Sequence, residues 1–227
     1  MTRPPVPARS TRMSGEARRR RLLQEAIRLF GTRGYEGTSL DAVATAAGVR
    51  KQTLLYYFPT KEALLDASVA ETSSRVASAL TAALEAETSN SRKAQAVIHA
   101  LFEAADEWPE FPLFIREASR LGPEVIERFA AVLEPLRVRA LLFLENGMKE
   151  GTVRRQDPAL LLFTLYTAVV GSITEAGVLR AVVGADKSRT ALRRREQELL
   201  TFVRNALGPA EGGTATRPSR ARRAQAG

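Results

Sequence analysis

Two sets of side chains in this sequence have the types and spacing to do chemistry. The first is His99, Glu103, Asp106 and Glu110, at i, i+4, i+7 and i+11, which would line one stripe of a helix. An imidazole and carboxylates at one-turn spacing can ligate a metal or serve acid–base chemistry. The second is the run Arg50, Lys51, Gln52 and Thr53, which follows Gly48-Val49 and precedes Tyr56, Tyr57 and Phe58. Arginine and lysine suit guanine O6 and N7, glutamine suits adenine N6 and N7, and threonine can meet a thymine methyl. Which set is used depends on the elements that hold it.

Composition weighs against catalysis. The chain has no cysteine and a single histidine, which excludes disulfides, thiolate metal sites and a cysteine nucleophile, and leaves a Ser-His-Asp triad dependent on His99. The acidic stripe around His99 borders an apolar stripe of Ile98, Leu101, Phe102 and Ala105, the ordinary pattern of a solvated helix face beside a core face. No catalytic residue, metal ligand or cofactor is assigned. An enzyme built on His99, Glu103 and Asp106 is the alternative.

The net charge of +9 is uneven. Residues 1–66 hold twelve Lys/Arg and six Asp/Glu, residues 67–187 hold thirteen and sixteen, and residues 188–227 hold nine and three. Basic ends around a mildly acidic middle are a footprint for nucleic acid or an anionic membrane, or for a genome rich in arginine codons. The first fifteen residues have no apolar signal core, and Met13 is an alternative start. The longest uncharged run, Pro158 to Thr174, falls short of the ~20 residues of a membrane span. A cytoplasmic, nucleoid-associated protein without a membrane partner is expected.

Between basic tails at 1–15 and 209–227, expected to be disordered, the periodicity is helical throughout. Leu22, Leu23, Ala26, Ile27 and Phe30 give one apolar face, ended at Gly31–Gly34. Thr38 reads as an N-cap, with Asp41 three residues on, for a helix burying Leu40, Val43, Ala44 and Ala47. Gly48 provides the turn, Val49 to Phe58 forms a short helix, and Pro59-Thr60 starts the next at Lys61. Further helices are expected at 61–87, 91–107, 111–120, 123–147, 158–183 and 189–207. The fold class is all-α.

A two-turn helix, a glycine turn and a second short helix make a helix-turn-helix, with Arg50, Lys51, Gln52 and Thr53 outward on the second. Residues 16–66 resemble the DNA-binding domain of the TetR family of bacterial transcriptional regulators. The resemblance lies in "GYEGTSLDAVATAAGV", "TLLYYF" and "TKEAL", with the family spacing intact. Leu55 stands where the family has its first tyrosine, and Tyr57 where it has histidine. The resemblance implies a DNA-contacting set of Thr38, Ser39, Arg50, Lys51, Gln52, Thr53, Tyr56, Tyr57 and Lys61, with the tyrosines and Lys61 on phosphates.

It also implies that residues 67–208 form a helical domain for ligand binding and dimerisation, without a cofactor. Phe102, Trp108, Phe111, Phe114, Leu133 and Tyr166 are candidates for an apolar pocket, with Arg116 or Glu117 as polar anchor. An ordinary helical core is the competing reading. For the dimer interface the candidates are Ala168, Gly171, Ser172, Leu192, Leu199 and Val203, on helices 158–183 and 189–207. The function expected is a repressor that binds a palindromic double-stranded DNA operator as a homodimer and is released by a small apolar or acyl-type effector. Alternatives are a family member without an effector, an architectural DNA-binding protein and a membrane-surface protein.

Overall fold

The computed structural model describes residues 14–184 and 188–208, which form ten helices and, among the described residues, no strand. The tail expectations for 1–13 and 209–227 lie outside the described residues. The expected tail ends earlier than residue 15: the Ser14 hydroxyl accepts from the Ala17 amide, and α1 runs Gly15–Arg33. α1 buries Leu22, Leu23, Ala26, Ile27, Leu29 and Phe30.

α2 (Leu40–Ala46) is capped by Ser39, whose Oγ accepts from the Ala42 amide at 3.1 Å. The expected cap, Thr38, is buried, and its hydroxyl faces the carbonyls of Leu29 at 3.1 Å and Gly34 at 2.8 Å. Nor does Asp41 complete a capping box, because its carboxylate pairs with Lys51 at 2.6 Å. A cap must have its oxygen free beside the first turn, and burial has taken Thr38's away. At Gly48 φ is +68°, a left-handed value favoured in glycine, and it turns the chain into α3 (Lys51–Tyr57). Val43 and Leu54 are fully buried across the α2–α3 joint, each stabilising it by about 1.5–3 kcal/mol.

α4 (Lys61–Ala86), capped by Thr60, links this motif to the rest. After it come α5 (Asn90–Glu107), α6 (Glu110–Ala118), α7 (Pro123–Glu150), α8 (Pro158–Thr174), α9 (Ala176–Val183) and α10 (Arg189–Leu207). Two expectations change. The helix expected at 158–183 is broken at Glu175, whose ψ of 42° leaves the helical range although its amide still reaches the Gly171 carbonyl. The helix expected to stop at Gly147 runs on to Glu150, with Gly147 buried beside Val153, and ends at Gly151.

One core joins α1 to α4 with Phe114 and Ala118 of α6 and with Val125 and Phe129 of α7. A second joins Ile98 and Phe102 of α5 to Val169 and Ile173 of α8 and Leu199 and Val203 of α10. The helix-turn-helix thus shares its core with α6, which docks directly on α1.

Candidate nucleic-acid interface and effector groove

Arg50, Lys51 and Gln52 are exposed at the N-terminal turn of α3, while Thr53 is half-buried. No side chain caps that turn, so the amides there are open to an external acceptor. Lys51 is held by Asp41 across the joint, which fixes its ammonium on the outer face. Tyr56 is 82% exposed, its ring edge-on to Tyr57 with centroids 5.2 Å apart. An aromatic so exposed contributes little to the core, and its hydroxyl is free to donate. Tyr57 packs partly into the core, its hydroxyl near Gly15 at the start of α1. Ser39 is exposed at the α2 cap, whereas Thr38 is 2% exposed and presents nothing to a partner.

Lys61 is half-buried, its ammonium 4.1 Å from the centroid of the Tyr35 ring. Tyr35 is anchored at both ends. Its backbone amide donates to Glu117 Oε1 at 2.7 Å, and its hydroxyl donates to Glu62 at 3.3 Å. Burial, and then the Glu62 charge, push the Tyr35 phenol above its ordinary value, so it remains a donor at neutral pH. The Glu62 carboxyl is held below the usual range by its own backbone amide, the Thr60 hydroxyl and Tyr35. Sequence reasoning assigned no role to Tyr35 and none in the DNA-binding half to Glu117, because their contact spans 82 positions. It also passed over Arg19, whose guanidinium lies 5.4 Å from the Phe58 ring centroid, and Arg21, which lies beside the Gly48 turn. Both bring α1 charge to the α3 side; the four-arginine run Arg18 to Arg21 was the available signal.

The expected pocket residues do not share one cavity. Phe114 is in the core with α1, Phe102 is in the core with α8 and α10, and Leu133 is half-buried on α7. Tyr166 is 53% exposed on α8, and Arg116 is exposed on α6. Trp108 and Phe111 do meet, stacked at 5.6 Å with an interplanar angle of 23°. Of the seven, Trp108 alone lines the groove of about 390 Å³ that runs between α4 and α5 over Val76 and a series of alanines. The Arg75 guanidinium lies over the Trp108 ring, 4.3 Å from its centroid.

His99 also lines this groove. Its Nδ1 is 2.5 Å from Glu196, which is 5% exposed on α10, and its Nε2 is 3.2 Å from Glu103. Arg193 reaches both carboxylates. Asp106 instead pairs with Arg189, and among the described residues no group of three or more His, Asp or Glu side chains is arranged to hold a metal ion. The stripe is an α5–α10 tie rather than one reactive surface.

The expected dimer residues divide. Leu199 and Val203 are buried in their own chain's core, and Ala168 and Leu192 pack against it. Ser172 donates back to the Ala168 carbonyl, and Gly171 borders open space. On α8 and α10 the outward large side chains include Leu160, Phe163, Tyr166 and Phe202, 66%, 62%, 53% and 57% exposed. Leu160 and Phe202 flank a second groove of about 300 Å³ between α8 and α10. No described helix is long and apolar enough to cross a membrane.

Comparison with known proteins agrees with this geometry. The family model of bacterial regulatory proteins of the tetR family matches residues 22–68. The HTH-type transcriptional regulator RutR of Escherichia coli is 28% identical over 173 residues, 74% of this chain and 80% of RutR. The negative transcriptional regulator IcaR of the Staphylococcus aureus biofilm operon icaADBC is 37% identical over 49 residues, 22% of this chain and 26% of IcaR. Among solved structures, the transcriptional regulator FadR of Bacillus subtilis, in complex with stearoyl-CoA, superposes with a TM-score of 0.69 at 15% identity, over 83% of this chain and 98% of FadR. With a helix-turn-helix that exposes Arg50, Lys51, Gln52 and Tyr56, and with relatives named as transcriptional regulators, residues 22–68 are a DNA-binding domain of the tetR family of bacterial regulatory proteins.

Proposed function

We propose that the protein is a ligand-responsive repressor that binds a palindromic operator as a homodimer in the cytoplasm. Residues 16–66 act as the DNA-binding domain and 67–208 as the regulatory and dimerisation domain. The observation that carries this reading is the outer face of α3, where Arg50, Lys51, Gln52 and Tyr56 stand exposed on a helix whose inner face is fully packed. Arg50, Lys51, Gln52 and Thr53 read base edges, while Ser39, Tyr56, Tyr57 and Lys61 position the phosphates. Thr38 acts from inside, by fixing the start of α2.

Repression is supported by the name of IcaR, a negative regulator, and an effector by the ligand in FadR. The effector has an apolar body, in the size class of an acyl chain, and sits in the α4–α5 groove beside Trp108. Occupancy shifts the population between states with different half-site separation. Dimerisation runs through the outward faces of α8 and α10, centred on Leu160, Phe163 and Phe202. The test is footprinting on palindromic and random duplexes. Protection of two half-sites about one helical turn or slightly more apart, ~34 Å or above, is expected. Sequence-blind protection would remove the reading.

A further inference from the structure

The charge of the α4–α5 groove points to the head group of its ligand. Three carboxylates line it, Glu87, Glu103 and Glu107, with the Arg75 guanidinium and the His99 imidazole, whose Nε2 is 3.2 Å from Glu103. Glu87 and Glu103 are met at the rim by Arg92 at 4.0 Å and Arg193 at 3.8 Å. Glu107 is exposed, with no ion pair or hydrogen bond to its carboxylate among the described residues. Its chain neighbour Trp108 is backed by Phe111 and carries the Arg75 guanidinium on its ring. An indole ring attracts a cation through its quadrupole, most strongly where water is excluded. The molecule's own arginine therefore marks a cation position, at the end of an apolar trough floored by Ala79, Ala83, Ala100 and Ala104.

We propose that this groove binds an amphiphilic organic cation. Its ammonium takes the place of the Arg75 guanidinium on Trp108, beside the Glu107 carboxylate, and its apolar body lies along the alanines. An anionic head would meet the unpaired Glu107 and could gain Arg75 only by drawing it off the ring. The cationic head gains the ring and Glu107 and releases Arg75 to water. This reading takes the groove from the proposed function and adds the chemistry of its occupant.

Trp108 is the sole tryptophan, so its fluorescence reports the site directly. The full-length protein is titrated with octyltrimethylammonium, octanoate and octanol below their aggregation concentrations, and operator binding is followed separately. The cation is expected to change Trp108 emission at a concentration at least about tenfold lower than the other two. Arg75→Ala removes the internal competitor and should tighten cation binding several-fold, whereas Glu107→Gln should loosen it several-fold. Both side chains are at the surface, and circular dichroism verifies folding. Octanoate binding as well as or better than the cation, weakening of the cation by Arg75→Ala, or no response to any probe overturns the proposal. Cation binding that leaves the operator complex intact removes the effector reading and keeps the cation site. Operator release by octanoate with Trp108 silent does the reverse.

Discussion

Lys61 shows how one side chain can be both placed and available. Its ammonium rests on the Tyr35 ring, a half-buried contact of about 1 kcal/mol that a phosphate can displace. Lys61→Ala should therefore weaken binding to every duplex alike and lower the log-salt slope by about one per subunit, measured by fluorescence anisotropy across a salt series. Gln52→Ala should instead relax preference at one position per half-site, read by selection from a randomised operator pool. Thr38 behaves oppositely. Its single hydroxyl proton is shared between the carbonyls of Leu29 and Gly34, so Thr38→Val removes that donor from a buried site and should destabilise by about 1–3 kcal/mol. Since ~1 kcal/mol moves the melting temperature of a chain this size by about 2–4 °C, calorimetry resolves the loss. Base preference should not change.

The helix that joins the two halves is α6. Its Phe114 is fully buried against α1, its Glu117 holds the Tyr35 amide, and its Phe111 stacks on the groove tryptophan. Close approach is possible because Gly31 has no side chain: a Cβ there would lie 2.8 Å from the Phe114 backbone nitrogen and 3.0 Å from Leu113 Cβ. Gly31→Ala would gain ~1 kcal/mol of helix propensity in α1. The obstacle is backbone, which cannot swing aside, and overpacking of this kind costs about 1–3 kcal/mol. The clash wins, so the variant should unfold at lower denaturant and lose operator affinity while its isolated α3 surface is untouched. Equal or higher stability would show that α1 and α6 slide past one another freely.

For the molecule as a whole, the decisive surface is the outer side of α8 and α10. Leu160, Phe163 and Phe202 expose large apolar areas on adjacent helices, a patch of the kind that marks an interaction site. An isologous pair would seat one protomer's helices across the partner's. Phe202→Glu places a charge in that face without touching the protomer's own core, so the variant should stay folded by circular dichroism and lose only the stabilisation that association adds. Light scattering should show monomers, and palindrome affinity should fall because one half-site has too few contacts. A dimer of unchanged affinity would place the interface elsewhere.

The helices and the exposed polar surface of α3 were legible in the sequence because both are local. Leu22 to Phe30 repeat with the helical period, Gly48 marks a positive-φ turn, and Arg50 to Thr53 follow that turn within one helical turn. What each apolar residue packs against is not local. Phe102, Phe111 and Phe114 lie within thirteen positions, yet one joins α8 and α10, one stacks on Trp108 and one docks on α1. Helical periodicity says that a face is buried, and cannot say by which partner. The same limit assigned Leu199 and Val203 to a dimer seam when their own chain covers them, and gave Thr38 a cap that Ser39 supplies. Sequence alone therefore determined the helices, their turns and the polar surface of α3. Tertiary packing decided the groove, the Glu117–Tyr35 contact and which apolar face stays uncovered, because those depend on contacts between residues far apart in the chain.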